Sequence, residues 1–461
     1  MPKRCWICKY MIMKRLTTRI LTFCLFAFIS ASILSAQVPG WEKKVKSTTF
    51  KVSTFTAAGD KIGEAYGFFT QKDEGVSIYS IFQGAAKAII VDASGKEYQV
   101  ESMLAADDIY DVVRFRLNAN VKNFVTVSST PAADNAKVYM VAYPKGEIRS
   151  KGGDVVKTES FREKYTYYTI SLQTKSNIAG SLLANENGEA IGILQDCASQ
   201  YDDNNYAISA NFITEIPLSG LSVNTKALQN IDIKTALPDD PDQAFLFLTL
   251  SSSVLSKEKY ASVVSDFISK FPKSADGYAA LARRYASENQ YDDAQREFEH
   301  AYSLNPSQLY HNQLSHMYLS KALWLIEQEK YRDAVMAFNE VPALTADTLD
   351  ASFYYAREQA EVHCRMFQQA LDDLDTAIVK SPTNEMFHAE KARVHYLVSQ
   401  YDEGIEVAQK CISLSPEYDV AHLILGLCYI GKGEKEEGLK YVLKAKELGN
   451  AQAEALYEKY K

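Results

Sequence analysis

The chain has 461 residues, of which 47% are hydrophobic and 23% charged, and a formal net charge of −8. That composition excludes a disordered chain and leaves room for two or three domains with real cores. The acidic balance argues against nucleic acid or an anionic membrane as the main partner.

At the N-terminus, Lys14, Arg15 and Arg19 precede an apolar run, Ile20 to Leu34, and the small residues Ser35 and Ala36 follow. This pattern predicts a signal peptide over residues 1–36 and an exported protein, periplasmic or secreted, of a Gram-negative bacterium. The run is short for a membrane span, so stable insertion after cleavage is not expected. Gln37 follows, where a lipoprotein would need cysteine, and Met13 is a plausible start. Residues 1–36 hold six of the 50 basic residues and none of the 58 acidic ones, so cleavage leaves a charge of −14. Cys197, Cys364, Cys411 and Cys428 then remain. They lack metal-ligand spacing and are too sparse for a disulfide framework, so they read as small buried hydrophobes.

Residues 37–225 carry short apolar runs divided by turn residues. Ala88-Ile89-Ile90-Val91, Val112-Val113-Arg114-Phe115 and Val138-Tyr139-Met140-Val141 are examples, with turns at Asp92-Ala-Ser-Gly-Lys96 and Asn185-Glu-Asn-Gly188. The spacing predicts an all-β barrel or sandwich. Residues 226–241 read as a linker, because Pro238, Asp239, Asp240 and Pro241 stop any regular element.

From residue 242 to 461 the pattern is helical and repeats. Pro272 and Pro306 are 34 residues apart, as are Pro382, Pro416 and Asn450, while the gap from 306 to 382 is two repeats plus eight residues. The first clear unit places Tyr278, Leu281, Ala282, Tyr285, Ala294, Phe298, Ala301 and Pro306 at positions 4, 7, 8, 11, 20, 24, 27 and 32. Small residues at 8 and 20 let two helices approach, large ones fill the seam, and proline ends the second helix. This is the period of the tetratricopeptide repeat, which the region resembles. The expectation is about six helical hairpins, with residues 242–272 as a divergent first one, and a C-terminal cap. Such arrays usually hold a peptide or partner segment in a concave groove. The positions lining it nominate Arg283, Tyr355, Gln359, Arg393 and Tyr396 as peptide-binding candidates. The Lys/Asn pattern that clamps C-terminal carboxylates in some members of the family is absent.

Three stretches of the β half resemble the trypsin-like serine peptidase domain in its secreted bacterial form, over about residues 60–215. They are Gly67-Phe68-Phe69 with Val76 to Ala85, then Ala105 to Val113, then Ser176 to Leu194. The resemblance implies a double β-barrel and assigns positions. Ser80 stands at the general base, Asp111 at the aspartate that orients it, Ala179 at the nucleophile and Asn177 at the oxyanion-hole glycine. All seven histidines, from His300 to His422, lie in the helical half, so no local Ser-His pair exists in any register. An alanine cannot attack a carbonyl, and no imidazole is present to take a proton. Asp111 is expected to bond backbone or Ser80 instead.

These features point to a multidomain β + α chain. A trypsin-like double barrel precedes an all-α repeat superhelix, and the whole acts as a non-catalytic binding or scaffold protein without cofactor or metal. The alternative is a serine peptidase with relocated groups, drawing on Ser181, Ser176, Thr174 or Lys175. A purely structural role in an envelope assembly is a third possibility.

Overall fold

The computed structural model describes residues 40–146, 149–161, 165–172, 178–195, 204–341 and 349–461. The signal segment, Thr174, Lys175, Ser176, Asn177 and Cys197 lie outside the described residues. The chain divides into two compact units, residues 1–267 and 268–461.

In the first unit a short helix, α1 (Glu42–Lys46), precedes strands β1 (Thr49–Phe55), β2 (Lys61–Phe69), β3 (Glu74–Ser77), β4 (Lys87–Asp92), β5 (Glu97–Asp107) and β6 (Val112–Leu117). They close into a barrel in the order β1-β2-β3-β6-β5-β4. Alternation sets the faces: Phe50, Val52 and Thr54 of β1 point inward and are fully buried. The Asp92 carboxylate makes the β4–β5 turn by accepting from the N–H groups of Ser94, Gly95 and Lys96 at 2.8–2.9 Å.

Strands β7 (Lys137–Val141), β8 (Lys151–Phe161), β9 (Tyr165–Ile170), β10 (Leu182–Ala184), β11 (Ala190–Leu194) and β12 (Asn205–Ser209) close a second barrel, ordered β10-β11-β12-β9-β8-β7. Its β10–β11 turn is built by Asn185, whose side-chain oxygen accepts from Asn187 and Glu189. Gly188 there has φ +80°, and a Cβ would meet the Trp41 ring at 2.8 Å. Trp41 also donates its indole N–H to the Glu186 carbonyl at 2.7 Å. One apolar cluster joins the two barrels, with Phe50, Phe68, Phe82 and Phe115 from the first and Tyr165, Ala179, Leu182 and Ile208 from the second half.

Helices α2 (Phe212–Glu215) and α3 (Lys226–Gln229) flank a 3₁₀ turn at Gly220–Asn224. The stretch 226–241, expected to be a linker, is docked along the first barrel. Ile231, Ile233 and Leu237 are buried. Met103 of β5 donates to the Lys234 carbonyl at 2.8 Å and accepts from Ala236 at 2.9 Å, in a parallel bridge. The physical reason is the alternation Ile231-x-Ile233, which supplies a strand-like apolar face despite the polar neighbours.

Helices α4 (Pro241–Val254) and α5 (Lys257–Lys270) follow. Asp240 caps α4 by accepting from the Gln243 N–H, and Pro241 begins the helix. The two were expected to form a divergent first repeat. They make almost no direct contact along their lengths, and α4 lies instead against the 3₁₀ turn. A Cβ on Gly220 would meet Leu246 at 2.6 Å. The compact β unit accordingly runs to Phe267.

The second unit is an array of five packed helical hairpins: α6 (Ala275–Ser287) with α7 (Tyr291–Leu304), α8 (Gln308–Glu327) with α9 (Tyr331–Asn339), α10 (Ala351–His363) with α11 (Phe367–Lys380), α12 (Glu385–Leu397) with α13 (Tyr401–Leu414), and α14 (Asp419–Lys432) with α15 (Lys435–Glu447). Helix α16 (Ala453–Tyr460) packs on α15. The eight surplus residues between Pro306 and Pro382 go mostly into α8, which has 20 residues where the other first helices have 13 or 14. Each hairpin turns through one left-handed residue: Asn289, Glu329, Arg365, Ser399 and Gly433.

Candidate functional site

Of the peptidase-like positions, Ser80, Asp111 and Ala179 lie among the described residues. Asp111 follows the end of β5 and holds a left-handed backbone at φ +54°, a conformation that aspartate tolerates better than most residues. It is buried, and Ser80 is exposed. One Asp111 carboxylate oxygen accepts the Ser80 backbone N–H at 2.6 Å, and the other accepts its hydroxyl at 3.3 Å. The carboxylate therefore organises the β3 exit.

Ala179 is 2% exposed. Its carbonyl accepts the Tyr66 N–H of β2 at 3.1 Å, a direct link between the barrels. Gly180 has φ +84°, and a Cβ there would lie 2.0 Å from the Tyr66 carbonyl oxygen. Glycine is required at this crossing whatever its neighbour carries. The Gly180 N–H donates to the Leu194 carbonyl at 2.8 Å, and the Leu194 N–H donates to the Ser181 carbonyl at 2.9 Å. Ser181, the candidate for a relocated nucleophile, is 3% exposed. Tyr79, Tyr110, Tyr165 and Tyr167 are buried in the same apolar cluster as Ala179, with the Tyr110 and Tyr165 rings edge-to-face at 4.7 Å.

The five groove candidates separate into two places. Arg283 on α6 donates to Gln313 of α8 at 2.8 Å. Tyr355 and Gln359 of α10 lie close to Arg393 of α12: burial pushes the Tyr355 hydroxyl up, against the pull of Gln359 and Arg393. The Tyr355 ring also packs on Phe387 at 5.4 Å. Tyr396 lies one helical turn beyond Arg393, with its ring 6.1 Å from that of Tyr401.

Beneath this patch is a charged seam that the sequence reading did not single out. Arg357 grips Asp373 of α11 with two hydrogen bonds of 2.6 and 2.7 Å. Glu358 and Glu361 are buried beside it. Burial, then the neighbouring Glu390, pushes the Glu358 carboxyl up to about 8, against the pull of Arg393. Burial and Asp373 likewise push Glu361 up to about 8. A signal was available in the sequence. Position 8 of the five hairpins reads Ala282, Ala322, Glu358, Ala392 and Gly426, and position 11 of the third is Glu361, where the others are large or aromatic.

The first unit holds two closed six-stranded barrels, the architecture expected from the trypsin-like resemblance, and the second is an array of helical hairpins. Residues 275–308 match the family model of the tetratricopeptide repeat. The chain is 28% identical over 95 residues to small glutamine-rich tetratricopeptide repeat-containing protein 2 of Saccharomyces cerevisiae, covering 20% of this chain and 28% of that protein. It is 28% identical over 160 residues to a DnaJ homolog subfamily C member 3 homolog of Dictyostelium discoideum, covering 35% and 27%. The chain thus spans less than a third of either relative. Among solved structures, the active form of the Rv3671c protease of M. tuberculosis aligns at 14% identity, covering 42% of this chain and 92% of that one with a TM-score of 0.34. Its inactive form aligns at 16% identity, covering 38% and 89%, with a TM-score of 0.32.

Proposed function

We propose that this is an exported, non-catalytic binding protein in which a trypsin-like domain that has lost its chemistry is joined to a peptide-binding repeat groove. The observation that carries the first half is Ala179 at the nucleophile position in a unit without histidine. Loss of a triad member typically lowers such a rate by roughly 10⁴–10⁶-fold. Burial of Ser181 and of Ala179 supports the same reading. The signal-like segment before residue 37 supports export.

For the second half, the groove-lining positions of the first helices are largely apolar. Leu323 and Leu397 are 43% and 44% exposed there, with Tyr355 and Tyr396 between and beyond them. Such a lining suits a guest segment with aliphatic side chains. Two measurements test the proposal on the full chain. A fluorophosphonate probe should leave the protein unlabelled, and labelling that disappears in Ser181→Ala would establish the peptidase alternative. A peptide array should select apolar segments, and Tyr355→Ala with Leu397→Asp should abolish the selection. Binding that survives both substitutions places the guest elsewhere.

A further inference from the structure

Glu358 occupies the one position in its hairpin that the other four give to alanine or glycine, Ala282, Ala322, Ala392 and Gly426. It is wholly buried, and neither carboxyl oxygen accepts a hydrogen bond. A buried polar group is normally satisfied, and a lone acid with no donor costs more than the small residue it replaces. The nearest cation is Arg393, with Nη2 at 3.7 Å from Oε1. Arg393 reaches from that buried acid out to the groove: its side chain is 37% exposed, and its Nε donates to Glu390 at 2.5 Å. The other charged groups facing Glu358 are Glu361 on its own helix, Asp373 from α11 and Glu390 from α12. Arg357 is committed to Asp373 by its two-pronged pair, so Arg393 is the cation left to answer Glu358.

We propose that Arg393 anchors a carboxylate on the guest and that Glu358, buried behind it, gates that anchor by its charge. The proposal rests on the groove being the guest's binding face. While Glu358 is neutral, Arg393 is balanced by Glu390 alone, and its outer N–H groups serve the guest. Once Glu358 loses its proton, Arg393 stands between two carboxylates and is drawn inward, and a third carboxylate is repelled. A proton is released to solvent on gating, and no other bond changes. With the acid poised at about 8 by burial and by Glu390, the gate closes as pH rises through that value. Only the protonated fraction binds, so the dissociation constant for an acidic guest should be about tenfold larger at pH 9 than at pH 7.

The test uses the full-length protein and three dye-labelled peptides of alternating leucine with aspartate, asparagine or lysine, followed by anisotropy from pH 6 to 9.5. The wild type should prefer the aspartate peptide at pH 7 and lose most of that preference at pH 9. Glu358→Gln copies the neutral acid and should bind the aspartate peptide with the same affinity at both pH values. Glu361→Gln removes a neighbouring carboxylate whose charge raises Glu358, so it should keep a pH dependence with its midpoint moved down. Arg393→Gln should bind the aspartate and asparagine peptides alike. The gate is overturned if the pH dependence persists in Glu358→Gln, if Glu361→Gln abolishes it equally, or if the lysine peptide binds best. Binding of all three peptides without preference or pH dependence overturns the gate and leaves the groove standing. Binding of none overturns both.

Discussion

The third and fifth hairpins solve the same packing problem in opposite ways. In the fifth, Gly426 and Gly438 face each other across α14 and α15. A Cβ on Gly438 would lie 2.5 Å from the Gly426 carbonyl oxygen, and one on Gly426 would lie 2.7 Å from the Gly438 carbonyl oxygen. Close approach brings the buried Val442 against Gly426, where a Cβ would lie 2.7 Å from Val442 Cγ2. In the third hairpin the matching residue is Glu358, and the seam is held by the Arg357–Asp373 pair, with Glu361 buried alongside. One seam is closed by small residues and apolar contact. The other depends on the Arg357–Asp373 pair, and losing either member strands the other in a medium of low polarity.

The largest effect expected from this contrast is at Arg357. Replacing it by alanine leaves Asp373 buried without its fork and Glu361 without its nearest cation, at 3.9 Å in the native protein. Breaking a buried pair from one side costs about 3–5 kcal/mol. Urea unfolding of the repeat unit should shift accordingly, and a loss below 1 kcal/mol would mean that the seam is wetter than it appears in the fold.

Next is the dependence on pH. Glu358 and Glu361 keep their protons in the folded state up to about 8, whereas in the unfolded chain they ionise near the ordinary carboxylate value of 4.5. Between those values the unfolded chain binds fewer protons, so stability falls as pH rises from about 4.5 to about 8 and levels off above. The double variant Glu358→Gln with Glu361→Gln should flatten that slope and be more stable than wild type at pH 9 by several kcal/mol. Equal slopes in the two proteins would contradict the burial of the acids.

In the fifth hairpin the counterpart is Gly426→Ala. The added methyl must push the two backbones apart, which costs about 1–3 kcal/mol by overpacking. The same change has no parallel in the third hairpin, where the larger glutamate is already accommodated.

The smallest effect lies in the turns. Arg365 turns the third hairpin at φ +59°, and Gly433 turns the fifth at φ +99°. Arg365→Gly relieves a left-handed side-chain residue and should raise stability by about 1 kcal/mol, whereas Gly433→Ala should lower it by a similar amount. A Cβ on Gly433 meets nothing within 4 Å, so its backbone angle alone is tested there. Melting temperatures of the two variants should move in opposite directions.

Much of the architecture is written locally. The 34-residue period at Pro272 and Pro306 and the small residues Ala282 and Ala294 were enough to specify helical hairpins, because helix pairing obeys spacing along the chain. Alternation and turn residues such as Asp92 and Asn185 specified short strands for the same reason. The peptidase-like positions Ser80, Asp111 and Ala179 are nominated by order and spacing, and Tyr355, Gln359 and Arg393 by repeat position. Tertiary structure alone decided the rest. The segment from 226 to 241 looked like a tether because its prolines and acids dominate any local count, yet Ile231 and Ile233 find a barrel wall to bury against. Helices α4 and α5 have helical periodicity without repeat packing, since periodicity shows a helix and does not name its partner. Glu358 is one letter out of register in a repeat. Its meaning depends on complete burial and on the single arginine within reach, which are set by helices far apart in the chain.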